Sequence, residues 1–518
     1  MKSRLTLPIV LGASVAALLV PADSRAAEAR RRYRLLRAGP EKAVQQAPAP
    51  FLTGPRTCPL DLEDNELALL PPEQQKATEV FGETFDPAKF DEISVAGDGR
   101  LIAYATSISD AGLPGTTKEI VIVPVTPRGD VVRVTKVAAE DDQPQVQIDE
   151  FGYRCVFRSS SAAGGAAPSN IQLFTSTRKG DTPETGTVAV TTVTGSQAAF
   201  DPALTARIRV REIVGGVKVR ERDARVAFVS NADLTGSNPE LVEQVFLWEE
   251  ADDVTRQLTH HTDADAHLNR PAISKSGDIV VFESTADLVP DAVDPLDSSR
   301  VGNPDHVRNL FRWRRGLGVD QITWSDGDCF SPRMELNGRF VVFSSRGDPI
   351  TGANPEGNLE IFQWTAGASP ELRLRQMTQT SEGDNVLPRP TIRPGSFAFY
   401  STSHPPLPPD PGKPAGEGNE RAGFGEGKRE CTPQALFYDH GRVVHVHGYL
   451  DRQQLLRAIA SPSKLPVLTG PPVPGIYGTK FFFATNDFRF NPPPEKPTDP
   501  RDTTTQLFVF TVALAVRR

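Results

Sequence analysis

The chain has 518 residues, 38% of them hydrophobic and 24% charged, with a formal charge of -8 at pH 7. That composition excludes a disordered chain, and the length exceeds one ordinary domain unless repeats build it. The acidic balance argues against a nucleic-acid partner, whose binding depends on neutralising phosphate charge.

Lys2 and Arg4 precede an apolar run from Leu7 to Val20, and small residues stand at Ser24 and Ala26. This pattern predicts a secretory signal peptide over 1–26, since the run is too short to span a bilayer. Export to the periplasm or the exterior follows from it. Residues 27–78 read as an irregular leader, from the basic Arg30–Arg34 to the acidic stretch around Asp61 to Glu66. Export also permits disulfides among Cys58, Cys155, Cys329 and Cys431. None of these forms a C-x-x-C pair, so a zinc ribbon has no support.

From Phe90 onward one strand recurs seven times, β-branched or aromatic and ending in Ser or Thr. Its copies are Ile102–Thr106, Cys155–Ser159, Val226–Ser230, Val280–Ser284, Val341–Ser345, Phe397–Ser401 and Phe481–Thr485. Tight turns such as Ser276-Gly277 and Asn337-Gly338 precede the clearest copies, as hairpins require. A second strand follows each copy, for example Gln244–Trp248, Asn309–Trp313 and Glu360–Trp364. A third element ends in Thr, as in Gln257–Thr259, Gln321–Thr323 and Gln376–Thr378. With the strand before each glycine turn, every unit has four strands.

Seven such units without helical periodicity predict an all-β fold, a seven-bladed β-propeller of four-stranded antiparallel blades over 79–518. The last unit stops at its third strand, so a strand near Thr78 to Phe81 is expected to complete it. Gly215-Gly216 marks an extra hairpin in the third blade, and 404–431 a long Pro/Gly-rich loop.

The run Arg270–Ser284, followed by Asn309–Trp313 and Gln321–Thr323, resembles the WD-like repeat of TolB-type propellers. The resemblance implies the fold for most of the chain. It implies no reaction, because that repeat serves envelope proteins and peptidase propeller domains alike. TolB itself carries a separate N-terminal domain, for which 27–78 is too short.

Strand order places the loops after second strands, and those between blades, on one rim, and nearly all long insertions fall there. Function is expected on this loop rim. Its binding candidates are Asp233, Asn238, Asp287, Asp291, Asp294, Asp305, Asp348 and Asn354. Clustered carboxylates and amides could hold calcium, although no loop has the Asp-x-Asp-x-Asp-Gly spacing. Solvated turn residues are the plainer reading.

His260, His261, Asp263, Asp265 and His267, between the third and fourth blades, supply ligand types that suit a transition metal. Trp248, Trp313 and Trp364 share one repeat position, which favours blade packing over a carbohydrate platform. Cys155 reads as a buried thiol. A Cys329–Cys431 disulfide could pin the Pro-rich loop. No Gly-x-Ser-x-Gly elbow or phosphate loop occurs, and no catalytic residue is assigned.

Three readings remain, of which a calcium-stabilised structural propeller is the third. One is a non-catalytic, monomeric, exported propeller that binds a protein or peptide through its loop rim and needs no cofactor. The alternative is a metal-dependent, polysaccharide-acting lyase or hydrolase that uses the histidine loop.

Overall fold

The computed structural model describes strands between Thr78 and Thr511, with only short breaks from Ala139 to Ser401. The signal segment, nearly all of the leader and the loop 404–431 lie outside the described residues. By its contacts the chain divides into two units. The larger, Pro48–Ala513, contains every described residue, and the smaller, Met1–Ala47 with Leu514–Arg518, lies outside them.

Runs of Val, Ile and Phe punctuated by Gly, Asn and Asp favour strands joined by tight turns. Among the described residues they pair into seven four-stranded antiparallel sheets. The third sheet holds Ala199–Ile213, Val217–Ser230, Gln244–Glu249 and Val254–Gln257. Leu268–Ile273, Ile279–Ser284, Asn309–Arg314 and Gly318–Gln321 make the fourth. The fifth has Cys329–Met334, Phe340–Ser345, Glu360–Thr365 and Leu374–Gln376. In the last sheet, Val473–Pro474, Lys480–Thr485 and Thr505–Thr511 are joined by Thr78–Phe85 from the other end of the chain. There Thr78 lies opposite Val509. First strands of successive sheets adjoin one another, and Val473–Pro474 adjoins Ile93–Ala96 of the first sheet. The first strands therefore lie innermost.

Side-chain packing is described chiefly in the five sheets between Ile93 and Gln376. Side chains alternate across each sheet. Val226, Phe228, Phe246 and Trp248 of the third sheet pack on Val156, Ile171 and Leu173 of the second. The intervening Ala227, Val229, Val245 and Leu247 pack on Val280, Phe282 and Phe311 of the fourth. Both faces are covered, so Gln244–Glu249 is buried throughout. Cross-strand phenylalanines repeat: Phe228–Phe246, Phe282–Phe311 and Phe343–Phe362 stack with centroids 5.7, 6.2 and 5.8 Å apart. Each buried ring contributes about 2–3 kcal/mol by leaving water. Trp248 and Trp364 belong to these inter-sheet clusters, and Arg312 lies over the Trp364 ring at 4.6 Å. Their faces are used in packing.

The recurring Thr stands just past each fourth strand for a definite reason. Its Oγ1 accepts the N–H of a third-strand residue: Thr259 from Val245, Thr323 from Leu310 and Thr378 from Ile361, at 2.9, 2.8 and 2.8 Å. The same hydroxyls donate to Gln244, Asn309 and Glu360. A buried N–H that the ladder cannot reach is thereby satisfied.

The hairpin expected around Gly215-Gly216 is no separate element. It continues the first two strands of the third sheet, whose ladder runs from Ala199↔Ser230 out to Ile213↔Val217. Arg220 pairs with Glu150 at 2.6 Å and Arg209 with Asp252 at 2.7 Å. The opposite rim, which carries the glycine turns, is therefore not uniformly short.

Candidate functional site: the loop rim

Each well-described rim loop begins where a second strand ends in Ser. Ser230, Ser284 and Ser345 accept, through Oγ, the N–H two residues on, from Ala232, Ala286 and Gly347 at 3.0, 2.9 and 3.1 Å. An Asp follows. Asp233 Oδ1 accepts the N–H of Asn238 at 2.9 Å, and Asp287 Oδ1 that of Asn303 at 2.9 Å. Asp348 accepts from Gly352, from Ala353 at 2.9 Å and from Asn354 at 3.2 Å.

The asparagines close the loops. Asn238 Nδ2 donates to Ala232 O (3.3 Å) and Val242 O (2.8 Å), joining the two ends of its loop. Asn303 does the same between Thr285 O (3.2 Å) and Val307 O (2.8 Å). Asn354 bridges Arg346 O (3.2 Å) and Asn358 O (2.9 Å). All three side chains are buried. The repeated signature is Ser-x-(Ala/Gly)-Asp followed later by Asn-Pro, at Asn238-Pro239, Asn303-Pro304 and Asn354-Pro355.

Five of the eight expected rim residues are accounted for in this way: Asp233, Asn238, Asp287, Asp348 and Asn354 hold backbone. Asp348 accepts three backbone N–H groups and Asp233 and Asp287 one each, so these carboxylates serve their own loops. Asp294 is buried, which raises its carboxyl above the ordinary value, and it caps Leu296 N at 2.9 Å. Asp291 and Asp305 are exposed. Asn303, which completes the set, was not singled out in the sequence; aligning the three Asn-Pro pairs would have found it.

The histidine loop does not converge. His260, Asp265 and His267 are exposed. His261 Nε2 lies 2.7 Å from Glu243 O, and burial holds its imidazole below the ordinary value. His267 Nδ1 is 3.5 Å from Glu243 Oε2, while Asp263 faces His306 at 3.4 Å. Among the described residues no three His, Cys, Asp or Glu side chains form a group that could hold a metal ion. Cys329 is a free thiol, fully buried, pushed up to about 12 by that burial, with Sγ 3.6 Å from Ser345 Oγ. Its expected disulfide partner, Cys431, lies outside the described residues.

Beside the exposed carboxylates of Asp291 and Asp305 the rim also leaves apolar side chains in solvent. Within the loop of the fourth sheet, Val293 and Val301 pair across a single antiparallel bridge, closed by Gly302 N→Ala292 O at 2.8 Å and Asp294 N→Arg300 O at 3.0 Å. Val293, Leu296 and Val301 are 50%, 43% and 44% exposed on this tip, and Leu241 of the preceding loop is 44% exposed.

Beneath the rim lies an inner belt that the sequence reading missed. Gln143, Asp201, Arg270, Ser331 and Leu387 all have φ between 49° and 54°, and each precedes a proline in a first strand. Left-handed backbone there costs energy for residues other than glycine and is held by its surroundings. Gln143 and Asp201 exchange two bonds of 2.9 Å, Arg270 N donates to Asp201 Oδ2 at 2.9 Å, and the Arg270 side chain reaches Ser331 Oγ. Ser331 N then donates to Glu283 Oε1 at 2.7 Å. Four successive sheets are linked in this way.

No protein-family model matches the chain, and no curated protein matches it either. Among solved structures it is similar to a putative TolB from Agrobacterium tumefaciens, at 10% identity and TM-score 0.33, covering 82% of this chain and 90% of that one. TolB from Acinetobacter baumannii is similar at 10% identity and TM-score 0.31, over 72% and 80%. An oligogalacturonate lyase in complex with manganese gives 8% identity and TM-score 0.40, over 86% and 91%. Among the described residues no helix is long and apolar enough to cross a membrane. The pairing of its own strands establishes what the chain is: an all-β propeller of four-stranded antiparallel sheets.

Proposed function

We propose that the chain is a closed, seven-bladed propeller that is exported and binds a protein or peptide partner through its loop rim. The sevenfold closure is supported by the seven-sheet strand order and by the adjoining first strands of the last and first sheets. Export is supported by the N-terminal charge, apolar run and small residues. The binding role is carried by one observation: loops held rigid by internal bonds nevertheless leave Leu241, Val293, Leu296 and Val301 in solvent. A preformed apolar surface of this kind limits the entropy lost on association.

The test is capture of a partner from extract by immobilised protein, compared between wild type and the Val293→Asp/Val301→Asp variant. Capture by wild type and its loss in that variant, with capture retained by Val210→Asp/Val219→Asp on the distant hairpin, is expected. Equal capture by all three proteins contradicts the reading.

A further inference from the structure

A groove of ≈ 400 Å³ runs between the outer strands of the fourth and fifth sheets and reaches the rim tip at Leu296. That volume falls in the range of small binding sites. Pro295, Leu296, Pro349 and Pro370 give it apolar walls. Three arginines line it together with the carboxylates of Asp294 and Asp320, and the arginines are not equivalent. Arg312 grips Asp320 through both Nε (3.1 Å) and an NH2 group (2.5 Å) while covering the Trp364 ring, so this pair is internally neutral. Arg314 turns its buried Nε toward the same carboxylate at 3.6 Å, while its side chain as a whole is 37% exposed. Arg373 donates a long bond of 3.5 Å to Ala368 O.

We propose that this groove binds an extended peptide in which an acidic side chain is flanked by apolar residues. The carboxylate is received by Arg314 and Arg373, and the apolar neighbours lie on the proline and leucine walls. Guanidinium groups with spare donors suit a carboxylate, which they can grip through paired N–H groups. A sugar is disfavoured because the Trp364 face is already covered by Arg312, and because few neutral polar groups line the walls. The inference deepens the rim-binding reading and rests on it, since the groove continues from the exposed tip.

The probe is the capped pentapeptide acetyl-Leu-Pro-Glu-Leu-Glu-amide, whose only charges are side-chain carboxylates, titrated by calorimetry into the full chain. Its glutamine counterpart is expected to bind at least about tenfold more weakly. Arg314→Gln/Arg373→Gln, with an unchanged melting temperature, is expected to lose affinity for the acidic peptide by a similar factor. Raising salt from about 50 to about 500 mM should weaken the acidic peptide only. No binding of the acidic peptide, equal binding of both peptides, unchanged affinity in the double variant, or binding of tetragalacturonate alone overturns the proposal. The two readings fail separately. If Val293→Asp/Val301→Asp loses the captured partner while the arginine variant binds peptide like wild type, the rim stands and the groove falls. Peptide binding at the groove with capture untouched by the valine variant gives the reverse result.

Discussion

The two rims of the propeller are held by different chemistry. On the rim of glycine turns, sheets three and four are joined by ion pairs. Glu249 forms an ion pair with Arg225 at 3.1 Å and accepts hydrogen bonds from Arg256 and Arg315 at 2.7 Å each, while Arg225 and Arg315 also reach Asp278 at 2.7 and 2.8 Å. The network presses close enough that Gly277, at φ +69°, would put a Cβ 2.3 Å from the Arg225 side chain. On the loop rim, the Asp and Asn side chains bond to backbone inside their own loops. One rim secures sheet to sheet through ion pairs, and the other fixes each loop largely from within, with links to the segment between blades such as Arg300 to Trp324 O at 2.8 Å and Asp348 N to Asp326 Oδ1 at 2.6 Å.

The largest expected effect lies on the turn rim. Glu249→Ala leaves three arginines without their common carboxylate and should cost about 3 kcal/mol in urea unfolding. A loss close to zero would mean that the ion pairs are ornamental and the sheets are held by packing alone. Asn303→Ala should cost about 2 kcal/mol through unsatisfied loop carbonyls. It should also open 287–305 to protease while the blades stay intact, and cleavage elsewhere would contradict the local character of the fixation. Thr323→Val deprives Leu310 N–H of its acceptor and should cost about 1 kcal/mol, again by urea unfolding.

The smallest effect is the pH dependence that separates the rims. Burial alone would raise Glu249 and Asp278. Hydrogen bonds from Arg256 and Arg315 to the one, and from Arg225 and Arg315 to the other, hold both carboxyls below their ordinary values instead. Their stabilisation is therefore present above the ordinary carboxylate range and is lost as pH falls through the depressed values. Melting temperature should fall on acidification below about pH 4, and Glu249→Gln should flatten that limb. An acid limb unchanged in the variant would place the lability elsewhere.

The blades were legible because period-two alternation and Ser-Gly or Asn-Gly turns repeat together; Val280–Ser284 and Val341–Ser345 fall within second strands as expected. The clustering of acids and amides on one rim was also legible, but their task was not. Asp and Asn can bond a ligand or their own backbone, and only the folded loop decides which. Asn303 was hidden by distance: Asp287 reaches sixteen residues along the chain to cap it, against five from Asp233 to Asn238. The inner belt was hidden because the residue before the recurring proline differs in every sheet, and its left-handed backbone is imposed by neighbours. The histidine loop supplied metal-ligand types in sequence, yet Glu243 draws His261 and His267 into separate contacts.

The most direct measurement is hydrogen exchange at the amides of Asn238, Asn303 and Asn354. A rim built of internally bonded loops predicts protection at these three comparable to that of strand residues such as Leu310 and Ile361, and its loss at Asn303 alone in Asp287→Ala. Exchange at the rate of open chain in the wild type would mean that the loops are not preformed, and the binding face would lose its physical basis.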